Sequence, residues 1–324
     1  NKLESYFYFK SRLSNLRSFF LALGTSLVGA TAIAFSFIMF AMQVNVERLS
    51  YGLFRKFSRD RKLIGAFIGT FFLAIAVASA SLIPNKNWVG ITTLGVVWGT
   101  FLILALFLFA YRRALLLINP AQQLVLIIED TNRDFRNWSK RAERARPIYE
   151  IDLDTENESF LRSTHDLPRA AYFRDNPHWT ASAFEAIQYA TTYTRIYGEK
   201  GDYEVLGFAL NTIIAINQSY INAKGKTFFA NDQFLENRFS SDSVINETLE
   251  NLRQNIQKSV VRKDEQQIEQ TMRAIAGLAK VYAEIDYSRA SPSISHAHLA
   301  AHYLSSAVLD VAPLNMPDVM MEGL

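Results

Sequence analysis

The sequence predicts an all-α integral membrane protein with three transmembrane helices and a C-terminal cytoplasmic α-helical domain. Three long uncharged segments fill most of the first 111 residues, and amphipathic helical patterns recur after residue 183. The charge also differs between the two parts: residues 1–128 carry a net charge of +10, and residues 129–324 carry −7. A basic membrane part followed by an acidic water-soluble part explains all three observations.

The uncharged segments set the predicted spans. They are 29, 23 and 25 residues long and cover Ser18–Val46, Leu63–Asn85 and Asn87–Tyr111. A helix needs about 20 apolar residues to cross a hydrocarbon core about 30 Å thick, and a helix satisfies its own backbone groups in lipid. Within a transmembrane domain at 18–113, we therefore expect spans at about 19–45, 63–84 and 88–111.

The loops predict the orientation. The first loop, Glu47–Lys62, carries six basic residues, whereas the second carries only Lys86. The excess of lysine and arginine in cytoplasmic loops places the first loop, and the chain after span three, in the cytoplasm. Residues 1–17 then lie on the outer side although they carry four basic residues, and we expect an interfacial segment there. A further span upstream of this sequence, which would return the N-terminus to the cytoplasm, is the alternative.

Basic residues beside the membrane favour lipids as partners. We expect the cations of the first loop to contact anionic head groups. Because the membrane edge explains the basic excess, we predict no nucleic-acid partner. The expected head-group contacts are Arg55, Lys56, Arg59, Arg61 and Lys62.

Small and polar residues in the spans suggest contacts between helices. A polar face of span one either lines a narrow uncharged pore or packs against other helices. Its members are Thr25, Gly29, Ala32, Ser36 and Gln43. In span two, Gly65 and Gly69 form a GxxxG pattern, which predicts close helix packing, either between subunits of a homo-oligomer or within one subunit. No titratable residue lies within the spans, which argues against a proton-coupled transporter.

The remaining chain reads as a connecting helix at 114–149 and a cytoplasmic α-helical domain at 150–324. Asn119-Pro120 predicts the start of a helix that Pro147 ends, and residues 150–181 read as irregular. Five further helices are predicted, at Phe184–Tyr197, Tyr203–Asn222, Val244–Val261, Asp264–Tyr287 and His296–Val311. The second and fourth share an aspartate start and an apolar pattern 62 residues apart, which suggests stacked helical hairpins.

Residues that could carry chemistry are few. The chain has no cysteine and no nucleophile or phosphate-binding motif, so we predict no cofactor and no enzymatic activity. His296, His298 and His302 cluster near the C-terminus, and the last two share a helix face, as metal ligands often do. Ordinary surface histidines explain this spacing better than a metal site does.

Span one, the first loop and the start of span two resemble a known bacterial family. The matching residues are Phe35-Ser36, Gln43, Phe57-Ser58-Arg59-Asp60-Arg61 and Gly65-Ala66-Phe67-Ile68-Gly69-Thr70-Phe71. Over about residues 15–115, the chain resembles the predicted membrane proteins called "domain of unknown function 2254". The family has no established activity, so the resemblance implies only the topology and a bacterial inner (cytoplasmic) membrane.

Two functional hypotheses follow from this pattern. The first is an oligomeric, channel-like membrane protein in which span one lines the axis. The alternative is a non-conducting scaffold or accessory subunit that binds a larger membrane complex through its helical domain. Spans without charges suit both hypotheses.

Overall fold

The computed structural model describes residues 10–46, 61–82, 88–151, 166–228, 242–287 and 294–314, together with 316 and 321. Within these ranges the chain forms ten α-helices and no β-strand. It divides into two compact units, residues 1–122 and 123–324. The all-α class that the sequence predicts is confirmed for the described residues.

The first unit consists of three long helices, of which the second packs along both others. Its small apolar core brings Phe20 of the first helix together with Ala74 and Val77 of the second. Val96 and Ile103 of the third helix complete this core. The helices are α1 (Lys10–Val46), α2 (Arg61–Ser79) and α3 (Val89–Ile118).

The outer surface of this unit is strongly apolar. Large side chains such as Phe37, Phe72 and Trp98 are each about two-thirds exposed on the isolated chain. Among the residues that the structure describes, three helical segments are long and apolar enough to cross a membrane, at Leu13–Phe40, Lys62–Leu82 and Val89–Leu116. An exposed surface of this kind suits lipid and is unfavourable in water.

The second unit is a set of packed amphipathic helices. The helices are α4 (Pro120–Ile151, whose first residues belong to the first unit), α5 (Leu167–Asp175), α6 (Ala181–Glu199), α7 (Tyr203–Lys224), α8 (Ser243–Arg262), α9 (Glu265–Ala283) and α10 (Ser295–Val311). The first and last residues of the last five helices agree with the bounds that the sequence predicts, to within a few residues. Their apolar stripes supply the core, which contains Leu206, Ile213, Ile268 and Ile275.

Helices α6 to α9 form two consecutive hairpins, α6–α7 and α8–α9, with similar turns. In each turn a residue of positive φ, Gly201 (71°) or Lys263 (56°), precedes an aspartate. Asp202 accepts a hydrogen bond from the backbone N–H of Val205, and Asp264 accepts one from that of Gln267. These aspartates cap α7 and α9, and α7 packs against α9. The pattern that repeats 62 residues apart in the sequence thus corresponds to two stacked hairpins.

The structure corrects two sequence predictions. Pro147 does not end its helix, because α4 continues to Ile151. The proline removes only the hydrogen bond to the carbonyl of Glu143, which is exposed near the end of the helix. Residues 150–181 are not wholly irregular, since they contain α5 and a 3-10 turn at Pro177–Thr180.

Candidate functional sites

The predicted polar face of α1 points away from the core of its own unit. Thr25, Gly29, Ala32 and Ser36 are all exposed on the isolated chain. The face that packs on α2 instead contains Phe20, Gly24, Leu27 and Thr31, of which Leu27 is half-buried and the other three are buried. Both sets follow the spacing i, i+4, i+7, i+11, and a shift of five residues separates them by about 140° around the helix. We call the exposed set the outer stripe.

The hydroxyl of Thr25 in the outer stripe is hydrogen-bonded without water. The Thr25 hydroxyl donates within the helix to the carbonyls of Leu21 (2.9 Å) and Ala22 (3.1 Å). Large apolar side chains, including Ile33, Phe37 and Phe40, lie beside the stripe and are also exposed. The stripe is therefore compatible with lipid, with another helix or with a narrow pore. Gln43 lies in α1, but its side chain falls outside the described residues.

The glycines of the GxxxG pattern make little contact within the first unit. A Cβ atom added at Gly65 meets no atom within 4 Å, and one added at Gly69 meets only Leu106 Cδ1, at 3.5 Å. The close approach of α1 and α2 occurs elsewhere. A Cβ atom at Gly24 would lie 2.5 Å from both the Cβ and the backbone nitrogen of Ala78.

The predicted head-group contacts lie mostly in a part of the chain without described side chains. Arg55, Lys56 and Arg59 fall outside the described residues, and Arg61 opens α2. The Lys62 side chain is exposed at the start of the same helix. An exposed cation at the end of an apolar helix is compatible with the predicted contact.

The histidines near the C-terminus do not converge. His296 is buried, whereas His298 and His302 are exposed. Within the described ranges, no three His, Cys, Asp or Glu side chains are placed to hold a metal ion. The three histidines therefore do not form a joint site in this fold.

His296 instead belongs to an aromatic cluster in the second unit. Its ring stacks on Tyr287 with a centroid distance of 5.7 Å, and Nδ1 contacts the Tyr287 hydroxyl. Phe228 packs edge-on against it at 5.6 Å. Burial lowers the pKa of His296, and the nearby Lys224 cation lowers it further, although Asp242 acts in the opposite sense. The imidazole is therefore neutral at physiological pH.

A buried ion pair lies beside this cluster. Lys224, at the end of α7, donates to Oδ2 of Asp242, whose side chain is only 3% exposed. The same oxygen accepts from the Tyr220 hydroxyl at 2.7 Å, and Oδ1 caps α8 through the N–H groups of Val244 and Ile245. Burial raises the pKa of Asp242, but Lys224 and these hydrogen bonds outweigh it and hold the pKa below its usual value. The pair stays ionised, with every oxygen satisfied.

Polar side chains also connect the two hairpins inside the core. The Tyr282 hydroxyl of α9 donates to Asn217 Oδ1 of α7 at 2.9 Å. Asn217 Nδ2 in turn donates to Thr248 Oγ1 of α8 at 3.2 Å. These three buried residues join three helices, so they fix how the hairpins pack on each other.

Sequence reasoning did not identify the Lys224–Asp242 pair. The cap itself has a local signal, because an Asp-Ser pair precedes the apolar pattern of α8. The pairing with Lys224 has no such local signal, because Lys224 lies 18 residues earlier on another helix. Only the folded arrangement brings the two together.

No protein-family model, no curated protein and no solved structure matches this chain. The resemblance of residues 15–115 to the family of unknown function therefore stays a prediction.

Proposed function

We propose that this protein is a membrane-anchored scaffold that binds another protein through the helices of its second unit. The observation that carries the proposal is the pair of stacked hairpins, α6–α7 and α8–α9. Stacked helical hairpins form extended surfaces, and proteins built from such repeats use those surfaces to bind partners. The three apolar helices of the first unit supply the anchor. The proposal assigns no reaction to the chain.

The scaffold has a defined orientation in the membrane. In a bacterial inner membrane, the basic loop Glu47–Lys62 and the second unit face the cytoplasm. A cysteine introduced at Asn87 then reacts with an impermeant thiol reagent added to intact spheroplasts, whereas one at Ser58 reacts only after lysis. Because the native chain has no cysteine, each signal comes from one position. The reverse labelling pattern would overturn the orientation.

The outer stripe of α1 favours a second candidate, an oligomeric pore. The small residues of the stripe, two of which carry a hydroxyl, face away from the core of their own unit and would meet around an axis if several copies assembled. Purified protein in liposomes tests this candidate by ion flux. In a pore, Ser36→Ala changes the conductance without loss of folding, and Gln43→Glu favours cations.

The mass and shape of the purified complex separate the two candidates. We expect a full-length tagged chain, extracted from its native membrane in a mild detergent, to purify with a second protein in fixed stoichiometry. An electron-microscopic view down the membrane axis then shows a mixed assembly. A ring of this chain alone, with α1 at its centre, would refute the scaffold and support the pore.

A further inference from the structure

A polar groove lies between α6 and α8, the first helices of the two hairpins. Its volume is about 300 Å³, and it is open along one side. Each helix supplies residues at the spacing i, i+3, i+4, i+7, so each presents one continuous face to the groove. The lining residues are Gln188, Thr191, Thr192 and Arg195 from α6, and Asn251, Gln254, Asn255 and Lys258 from α8.

The groove is positively charged. Arg195 and Lys258 line it, no lining residue is acidic, and neither cation has an ion pair with any described residue. Other arginines close to the groove are paired: Arg253 binds Glu250 at 2.7 Å, and Arg262 binds Glu199 at 3.5 Å. The two cations of the groove are therefore available to a bound anion.

The rest of the lining offers hydrogen bonds. The side chains of Gln188 and Asn251 each carry a donor and an acceptor, the same two groups that a peptide unit carries. Gln254 Nε2 donates to Glu250 Oε1 at 3.0 Å, so Gln254 offers chiefly its oxygen. Side-chain amides arranged along a groove can therefore form hydrogen bonds with the peptide groups of an extended chain.

Asn255 forms the fixed floor of the groove. Its oxygen accepts from Gln267 Nε2 at 2.8 Å, and its nitrogen donates to Thr271 Oγ1 at 3.3 Å. Both partners lie on α9, so the floor is anchored in the core of the second hairpin. A preorganised floor lowers the entropy that a ligand loses on binding.

From this geometry we infer that the α6–α8 groove binds an extended acidic peptide segment, with Arg195 and Lys258 on its carboxylates and the amides on its backbone. The inference rests on the proposed scaffold function and names the chemistry of the partner. A free phosphate would use the cations but leave the row of amides without a role. The lining covers two turns of each helix, about 10 Å, which accommodates about three residues of an extended peptide.

Binding of a model peptide tests the inference. The full chain, in nanodiscs of phosphatidylcholine, is titrated into fluorescein-labelled octaglutamate at low salt, and the anisotropy is followed. We expect the Arg195→Gln/Lys258→Gln variant to bind about tenfold more weakly, because two charge contacts are lost. The control, Arg273→Gln/Lys280→Gln on α9, makes the same change in net charge outside the groove. Its affinity should fall by less than twofold, and equal losses in both variants would overturn the inference.

A second comparison tests the role of the amides. Asn251→Ala leaves the charge unchanged and should lower the affinity for octaglutamate about threefold. It should not change the affinity for an oligoacrylate that carries eight carboxylates and no peptide groups. Equal effects on both probes, or displacement of the peptide by inorganic phosphate at micromolar concentration, would indicate a plain anion site and refute the inference.

The outcome for the groove is separable from that for the scaffold. If the stoichiometric partner still purifies with the Arg195→Gln/Lys258→Gln variant, the scaffold function stands and the groove inference fails. If no partner purifies with the native chain although octaglutamate binds in the groove, the scaffold function fails instead.

Discussion

Replacing Asp242 by asparagine should strongly destabilise the second unit. The substitution keeps an oxygen that can cap α8, but it removes the charge that pairs with Lys224. The Lys224 cation, whose side chain is 21% exposed, would then lie 4.3 Å from the centre of the Phe228 ring without an anion. Removing one partner of a buried ion pair costs about 3 to 5 kcal/mol, and partial exposure of Lys224 places the expected loss near 3 kcal/mol.

Two further variants divide this loss into its parts. Asp242→Ala also removes the cap, so its loss should be about 1 kcal/mol larger than that of Asp242→Asn. The double variant Lys224→Met/Asp242→Asn should recover most of the loss, because replacing both partners of a buried pair is far milder than removing one. If the double variant is no more stable than Asp242→Asn, charge pairing is not the reason for the loss.

The fluorescence of Trp179 reports this unfolding. Its ring stacks on Tyr220 at 5.2 Å and on Phe173 at 4.1 Å, beside the ion pair. Urea titration in a fixed detergent, on a background with Trp88, Trp98 and Trp138 replaced by phenylalanine so that Trp179 is the remaining tryptophan, gives the free energy of unfolding of this unit. A loss below 1 kcal/mol for Asp242→Asn would refute the reasoning.

Three other predictions concern helix packing, a turn and a buried histidine. Gly24→Ala should destabilise the first unit by about 2 kcal/mol in detergent, because its Cβ would overlap Ala78, whereas Gly65→Ala should have almost no effect; equal thermal shifts would contradict this packing. Lys263→Gly should stabilise the second unit by about 0.5 to 1 kcal/mol, because glycine adopts a φ of 56° without strain; a loss of stability in urea titration would contradict it. Burial lowers the pKa of His296 in the folded state, so the unfolded chain takes up this proton at a higher pH and stability should fall as pH drops below about 6.5. His296→Phe should flatten this dependence between pH 7 and 5, and an unchanged slope would rule out His296 as its source.

Patterns within one helix were predictable from the sequence. The helices α6 to α10 follow apolar stripes of period 3.6, and each span is an uncharged run of sufficient length. The segment at 150–181 contained a usable signal as well: Asp166 caps α5, and Pro168 occupies its first turn.

Contacts between helices were not predictable in the same way. A GxxxG spacing shows that two glycines share a face, but not what that face meets, and the close approach involves Gly24 instead. Likewise, His296 and His298 are two residues apart in the sequence, yet one is buried and the other exposed. Which side of a helix faces the core depends on the whole packing arrangement. Local spacing does not contain that information.

Two hydrogen bonds, one near the turns and one further along α7 and α9, connect the two hairpins. They restrict which insertions and deletions the sequence can accept. The Tyr203 hydroxyl donates to Asp264 at 3.0 Å near the turns, and Tyr282 donates to Asn217 further along the same helices. Inserting or deleting one residue within α7 would rotate one of its two contact residues by about 100° away from its partner. Homologous chains should therefore keep the number of residues from Tyr203 to Asn217 and from Asp264 to Tyr282. Length changes should accumulate between the hairpins, where neither contact is affected.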